Sequence, residues 1–247
     1  MTELNPTAWL EKAPQLRGWL IFSKIWGSHS HNTNVESSDV DYLGVYVAFN
    51  RDLLGLQPPA DTIDNPEGVK PDYQIHEIGK FCNLLLKGNP GIIEMLFSDR
   101  LTWFDPKWAP LKAERKRFLT QRAVVQYLGY MQGQLKKFCA HGGKGGLHTK
   151  GGEFSEKWAY HMIRLGYDAR RIAQGQEPVV WKEGAERDTL MEIRTGQWSQ
   201  KRVEETTLGL IHEIDAMKPW AIPEEGDREW LNEWLLGVRG LKGTTNA

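Results

Sequence analysis

The chain of 247 residues is 40% hydrophobic and 11% aromatic, enough for a true core in one large domain or two modest ones. Lysine plus arginine (31) nearly cancels aspartate plus glutamate (32), so the overall charge gives no sign of a nucleic-acid coat or a membrane-surface protein, and any polyanion must meet a local patch. No run approaches the roughly 20 apolar residues of a membrane helix. With 2 cysteines in apolar helical contexts, and an N-terminal MTELNPTAWLEKAP that lacks a basic region followed by an apolar core, the expected location is cytoplasmic.

Leu4 to Leu16 reads as a short helix, released at Gly18 into a strand over Trp19 to Trp26. Gly27 to Asp41 (GSHSHNTNVESSDVD) is then a loop into a second strand that runs to Phe49 and is opened by Asp39 and Asp41. Side chains alternate along a strand, which puts Asp39, Asp41 and Leu43 on one face. The polar, proline-rich stretch from Asn50 to Pro71 is longer than an ordinary connection and suggests a lid or a surface insertion. Asp72 to His76 reads as a third strand with Asp72, Gln74 and His76 on one face.

Helices are predicted over Glu77 to Lys87 and Gly91 to Phe97, punctuated by Gly88-Asn89-Pro90, where glycine suits a left-handed residue after a helix and asparagine-proline the next helix start. Leu101 to Phe104 is a further strand. Beyond a boundary near Leu119 the helical signals are Gln121 to Phe138, Phe154 to Ala173, Ala185 to Arg194, Ser199 to Met217 and Asp227 to Val238. The expected class is α+β (α/β): a domain over residues 1–119 with a small mixed β-sheet flanked by helices, then an all-helical domain over 120–247.

Aspartates at i and i+2 offer hard oxygen ligands to one cavity, as magnesium with its retained waters prefers, although a lone Asp-x-Asp is often just a turn or a helix cap. Gly27-Ser28 directly follows a strand, where glycine lets the backbone approach a phosphate and the serine hydroxyl and neighbouring N–H groups can donate to it. A third carboxylate on an adjacent strand would complete a two-metal site with ions roughly 4 Å apart. Asp72 is the best-placed candidate, with His76 and Glu77 close enough that a one-residue slip changes the face. His29, His31, His141 and His148 have no Cys-x-x-Cys or paired His-Glu helix motif beside them, so a structural zinc site is not expected. The segment HGGKGGLHTKGG from His141 to Gly152 lacks the glycine-lysine-serine/threonine of a Walker loop; a phosphate- or RNA-touching loop and a plain connector both remain open for it.

The order strand, Gly-Ser, spacer, Ser-Asp-x-Asp, strand resembles the DNA polymerase beta-like nucleotidyltransferase superfamily. A closer resemblance is to the bacterial and phage nucleotidyltransferases grouped with the RNA-repair-pathway polymerase-beta family. It is carried by GSH at Gly27 to His29, ESSDVDYLGV at Glu36 to Val45, DYQIHEIGKF at Asp72 to Phe81, GNPGIIEMLF at Gly88 to Phe97, GQLKKF at Gly133 to Phe138, EKWAYHMIRL at Glu156 to Leu165 and LMEIRTGQWS at Leu190 to Ser199.

The resemblance implies that Gly27, Ser28 and Ser38 hold nucleotide phosphates, that Asp39 and Asp41 bind magnesium or manganese, and that Asp72 is the third acid. The superfamily usually has glycine four residues after the Gly-Ser serine; this chain has Asn32, which tolerates left-handed geometry better than most residues. Lys157, His161 and Arg164 lie at i, i+4 and i+7 and share a helical stripe beside the apolar Trp158, Met162 and Leu165. Such a stripe standing alone is usually a solvated face, but the family's Lys-x-x-x-His-x-x-Arg pattern implies donors to a triphosphate across a cleft. The implied activity is magnesium-dependent transfer of a nucleoside monophosphate from a triphosphate such as ATP to an acceptor hydroxyl, with release of pyrophosphate. RNA or tRNA ends, a protein hydroxyl and a small molecule are open as acceptors. Two rivals keep the fold: a non-catalytic nucleotide- or RNA-binding module, and gamma-phosphoryl transfer.

Overall fold

The computed structural model describes residues 13, 16–68, 70–140 and 156–241. Apart from Ala13 and Leu16, the helix predicted over Leu4 to Leu16 lies outside them, as does the glycine-rich stretch from His141 to Gly152. The order of elements is β1 (Gly18–Trp26), a 3-10 turn (Gly27–His31), β2 (Asp41–Ala48), α1 (Asn50–Leu53), β3 (Thr62–Asp64), β4 (Tyr73–Glu77), α2 (Ile78–Leu86), α3 (Pro90–Phe97), β5 (Leu101–Phe104), α4 (Ala109–Ala113), α5 (Gln121–Ala140), α6 (Glu156–Ala173), α7 (Gly184–Arg194), α8 (Gln200–Ala216) and α9 (Arg228–Val238). Ser199 and Asp227 cap α8 and α9 by accepting from the N–H groups of Arg202 and Trp230, which fixes where those helices start.

The chain forms two compact units: a sheet unit from the described residues of Met1–Leu86, Ser98–Arg115 and Asp227–Ala247, and a helical unit from Lys87–Phe97 and Lys116–Gly226. These differ from the contiguous split into 1–119 and 120–247 at two helices. In the helical unit, α3 buries nearly all of its side chains, and Pro90 O accepts from the Tyr127 hydroxyl of α5 at 3.4 Å. In the sheet unit, α9 turns Trp234 edge-on to Trp108, with ring centroids 6.1 Å apart, and is followed by Arg239, which donates to Glu77 at 2.7 Å. Burial partners distant in sequence, rather than chain order, decide where each helix belongs.

The five strands of the sheet unit run in the order β3-β4-β2-β1-β5, with β2 and β4 parallel and the other neighbours antiparallel. Leu20, Tyr42, Tyr46, Ile63, Tyr73 and Ile75 form one buried face. On the other, Phe22 stacks on Trp108 at 4.4 Å between ring centroids, and Phe81 of α2 lies 5.2 Å from the same indole. The stretch from Asn50 to Pro71 is not structureless: it holds α1 and β3, whose Ile63 is buried against the core. Three residues with one apolar side chain give too little alternation to stand out as a strand.

In the helical unit α6 is central and packs on α5, α7 and α8. Gly166 lets two neighbours in, since a Cβ there would sit 2.8 Å from both Met131 Cε and Leu210 Cδ1. The helices predicted over Gln121 to Phe138, Phe154 to Ala173, Ala185 to Arg194 and Ser199 to Met217 are recovered within two residues over the described residues.

Candidate active site

The loop after β1 is built from two left-handed residues. Gly27 has φ +67° and Asn32 φ 59°, and between them the 3-10 turn closes with Asn32 and Thr33 N–H donating to Ser28 O, the second at 3.1 Å. A Cβ at Gly27 would stand 2.9 Å from Asp41 Oδ2, so glycine is required there both for its φ and for the approach of the Asp41 carboxylate. Ser30 Oγ donates to Gly27 O at 2.8 Å, and the His29 Nε2–H donates to Ser38 O at 3.1 Å. Ser38 Oγ accepts from Val35 N–H at 2.9 Å. The loop is thus braced from within, with Ser28 at its half-buried bend.

Asp41 is the first residue of β2, and Asp39 precedes the strand instead of opening it. Tyr42 pairs with Tyr73 across the parallel β2–β4 ladder, and Tyr42 N–H donates to Asp72 O at 2.9 Å. One residue back, Asp41 and Asp72 are therefore neighbours, on the sheet face opposite the buried tyrosines. Asp39 joins Asp72 by a different route: Lys70 Nζ lies 3.1 Å from Asp39 Oδ2 and 2.9 Å from Asp72 Oδ2. Asp72 Oδ1 accepts from Asn65 Nδ2 at 3.3 Å. The hydrogen bond from Lys70 holds the Asp72 carboxyl below its usual range, and the two acids raise the lysine in return.

Glu77, the alternative third acid, lies at the far end of β4. Its carboxylate accepts from Arg239 Nη2 at 2.7 Å, Gly79 N–H at 2.6 Å and Ala48 N–H at 3.4 Å, and its side chain is 6% exposed. That makes it part of the interior scaffold. Among the described residues no group of three or more His, Cys, Asp or Glu side chains is gathered to hold a metal ion. The donors at Asp39 and Asp72 nonetheless suit magnesium: they are hard oxygens already converging on one cationic group, and magnesium is commonly held by one or two carboxylates plus substrate phosphates.

The stripe on α6 is less uniform than its spacing implies. Lys157 is exposed, whereas the Arg164 side chain is only 4% exposed and its Nη1 donates to Glu94 of α3. Arg164 Nη2 lies 3.3 Å from His161 Nδ1; a guanidinium can only donate, so Nδ1 accepts and the imidazole proton sits on Nε2. Burial, then the charges of Arg164 and Lys157, pushes His161 down to about 3, so it is neutral at neutral pH and not one of a row of cations. Burial raises Glu94 and opposes charge on Arg164, whose pKa nevertheless rises because Glu94 faces it. We take the pair as ionised, since a buried guanidinium does not lose its proton.

Residue spacing also left out a charged network further along α6. Asp168 Oδ1 accepts from Lys182 Nζ at 2.9 Å, Arg171 Nη1 at 3.1 Å and Val179 N–H at 3.1 Å, while Glu186 pairs with Lys182 at 2.7 Å and with Arg171. Asp168 and Lys182 are fully buried. The i, i+4, i+7 recurrence of Arg164, Asp168 and Arg171 on one helix was its available signal.

Gly27-Ser28 follows β1, Asp41 opens β2 and Asp72 lies beside it just ahead of the parallel β4, and the family and fold are those of a polymerase beta-like nucleotidyltransferase. The chain belongs to the RNA repair pathway DNA polymerase beta family, whose sequence profile matches residues 4–219. It is also similar to an uncharacterized 38.9 kDa protein of Enterobacteria phage T4 from the nrdC-mobD intergenic region, at 24% identity over 135 residues, covering 50% of this chain and 40% of the phage protein. This chain's match therefore spans well under two thirds of that relative. Among solved structures, a nucleotidyltransferase-like protein from Exiguobacterium sibiricum 255-15 aligns with 87% of this chain and 75% of its own, at 10% identity and a TM-score of 0.31. Among the described residues no helix is long and apolar enough to cross a membrane.

Proposed function

We propose that the protein transfers a nucleoside monophosphate from a nucleoside triphosphate to an acceptor hydroxyl, with release of pyrophosphate, and that RNA ends are the acceptor class. The observation that carries this is the convergence of Asp39 and Asp72 on one cationic group, 3.1 and 2.9 Å away, with Asp41 beside them against Gly27. Family membership supports the nucleotide and the RNA.

Asp39, Asp41 and Asp72 would hold magnesium or manganese, which when bound assists ionisation of the acceptor hydroxyl and neutralises charge on the departing pyrophosphate. Gly27 gives its side-chain space to the Asp41 carboxylate, and the Ser28 hydroxyl with the adjacent N–H groups donates to a phosphate oxygen. Ser38 braces this loop by accepting from Val35 N–H, and we assign it to the nucleotide-binding loop with Gly27 and Ser28. Asp72, as a ligand of the metal ion, would assist removal of the acceptor's proton. Within the helical unit, Arg164, occupied by Glu94, positions the His161 imidazole with its proton on Nε2, and Lys157 stands exposed on the same helix.

Incubation with each triphosphate labelled at the alpha or gamma phosphate, with magnesium and total RNA, tests this directly. Alpha label should move into RNA with stoichiometric pyrophosphate, and Asp39→Asn should reduce transfer to background while its circular dichroism matches wild type. Gamma label on the acceptor would instead mean phosphoryl transfer, and magnesium-independent binding without turnover a binding module. Pyrophosphate release at the wild-type rate by a folded Asp39→Asn protein removes the mechanism.

A further inference from the structure

Among the described residues Lys70 bridges Asp39 and Asp72, residues 33 positions apart, through the same oxygen of each, Oδ2. The orientation of Asp72 is set independently: Asn65 donates to Asp72 Oδ1 at 3.3 Å, and Asn65 Oδ1 accepts from Tyr73 N–H at 3.0 Å, which leaves Oδ2 turned toward Lys70. We propose that Lys70 is a built-in counter-ion of the acidic site, holding Asp39 and Asp72 together and competing with the divalent cation, so that the cation enters with the nucleotide rather than ahead of it. This rests on Asp39 and Asp72 being cation ligands.

An ammonium on Oδ2 of both acids takes up the two lone-pair regions a shared cation would use, so the lysine and the metal exclude each other. The lock is weak by construction, because the Lys70, Asp39 and Asp72 side chains are 57%, 70% and 50% exposed and exposed ion pairs are easily opened. Its four-carbon stem lets the ammonium swing clear without moving the backbone. Carboxylates alone are also a poor cage for magnesium, which completes its shell with waters and substrate phosphates. A triphosphate brings both the missing oxygens and the negative charge that tips the exchange toward the metal.

Two readouts test this, neither of them turnover. Free Mn²⁺ measured by electron paramagnetic resonance, with and without a non-hydrolysable triphosphate, gives the affinity of the wild-type protein and of Lys70→Met, a substitution at an exposed position. Each exposed pair is worth up to about fivefold, so Lys70→Met should bind Mn²⁺ alone about 5- to 30-fold more tightly and depend less on nucleotide by a similar factor. An unchanged or weaker Mn²⁺ affinity overturns the proposal, as does a loss of nucleotide affinity without a gain for Mn²⁺, which would make Lys70 a phosphate contact. Acylation of lysines followed by mass spectrometry reads the ion pairs without metal: Lys70 should react more slowly than other exposed lysines, and faster in Asp39→Asn. Equal rates in wild type and Asp39→Asn overturn the counter-ion role whether or not metal binds. Failure of the parent assignment looks different, with Asp39→Asn and Asp41→Asn binding the Mn²⁺–nucleotide complex as tightly as wild type.

Discussion

Replacing Glu94 by glutamine keeps the shape of α3 but removes the charge that lets Arg164 reside in the interior. The Glu94 and Arg164 side chains are 1% and 4% exposed, so water cannot replace the lost carboxylate, and the guanidinium cannot shed its proton. Breaking a buried pair from one side costs about 3–5 kcal/mol, against about 0–1 kcal/mol for an exposed one. For a chain of this length each kcal/mol moves Tm by about 2–4 °C, giving a fall of about 6–20 °C by calorimetry or by circular dichroism at 222 nm. Lys157→Gln, on the exposed side of the same helix, should stay within about 0.5 kcal/mol of wild type. Converting both partners, Glu94→Leu with Arg164→Met, should recover most of the loss, because apolar groups of similar volume replace the pair without desolvating a charge. A loss below about 1 kcal/mol in Glu94→Gln would refute the placement of Arg164 as an interior cation dependent on Glu94.

Gly27→Ala forces an L side chain into φ +67° and sets its Cβ 2.9 Å from Asp41 Oδ2, so the fold should weaken by about 1–2 kcal/mol and transfer should drop as the Asp41 carboxylate is displaced; wild-type activity would contradict the close packing of that loop. His161 binds its proton more weakly in the folded protein, near 3, than in the unfolded chain, near 6.5, so its contribution to stability is complete above pH 6.5 and is lost as the pH falls toward 3. Urea titrations across that window should show stability falling by up to about 1.4 kcal/mol per pH unit from this group, and His161→Gln should flatten the slope.

What local pattern can encode was legible. Strands β1 and β5, the helix starts at Ser199 and Asp227, and the left-handed Asn32 all follow from residue type, alternation and capping within a few positions. The acidic loop was legible for the same reason, since Gly27, Ser28, Asp39 and Asp41 lie within one short stretch. Arg164 was misleading because a helical stripe looks identical whether it meets water or a carboxylate 70 residues away, and only the tertiary contact with Glu94 separates the two. Lys70 had no signal at all: it sits in a polar connection, and its meaning comes from Asp39 arriving beside it. The placement of α9 in the sheet unit was equally hidden, because Trp234 and Arg239 find Trp108 and Glu77 across most of the chain.

The pairing of Glu77 with Arg239 spans 162 positions, and everything in the helical unit is made between them. A ribosome adding about 5–20 residues per second therefore takes about 8–32 s after finishing β4 to deliver the arginine that neutralises its last residue. During that interval the nascent sheet carries an acid near its core and a Trp108 that still lacks Trp234, while the helical segments between Glu77 and Arg239 emerge as a complete set. Synthesis from the N-terminus thus completes every described segment of the helical unit before α9, which the unit bearing the aspartates still lacks at that point.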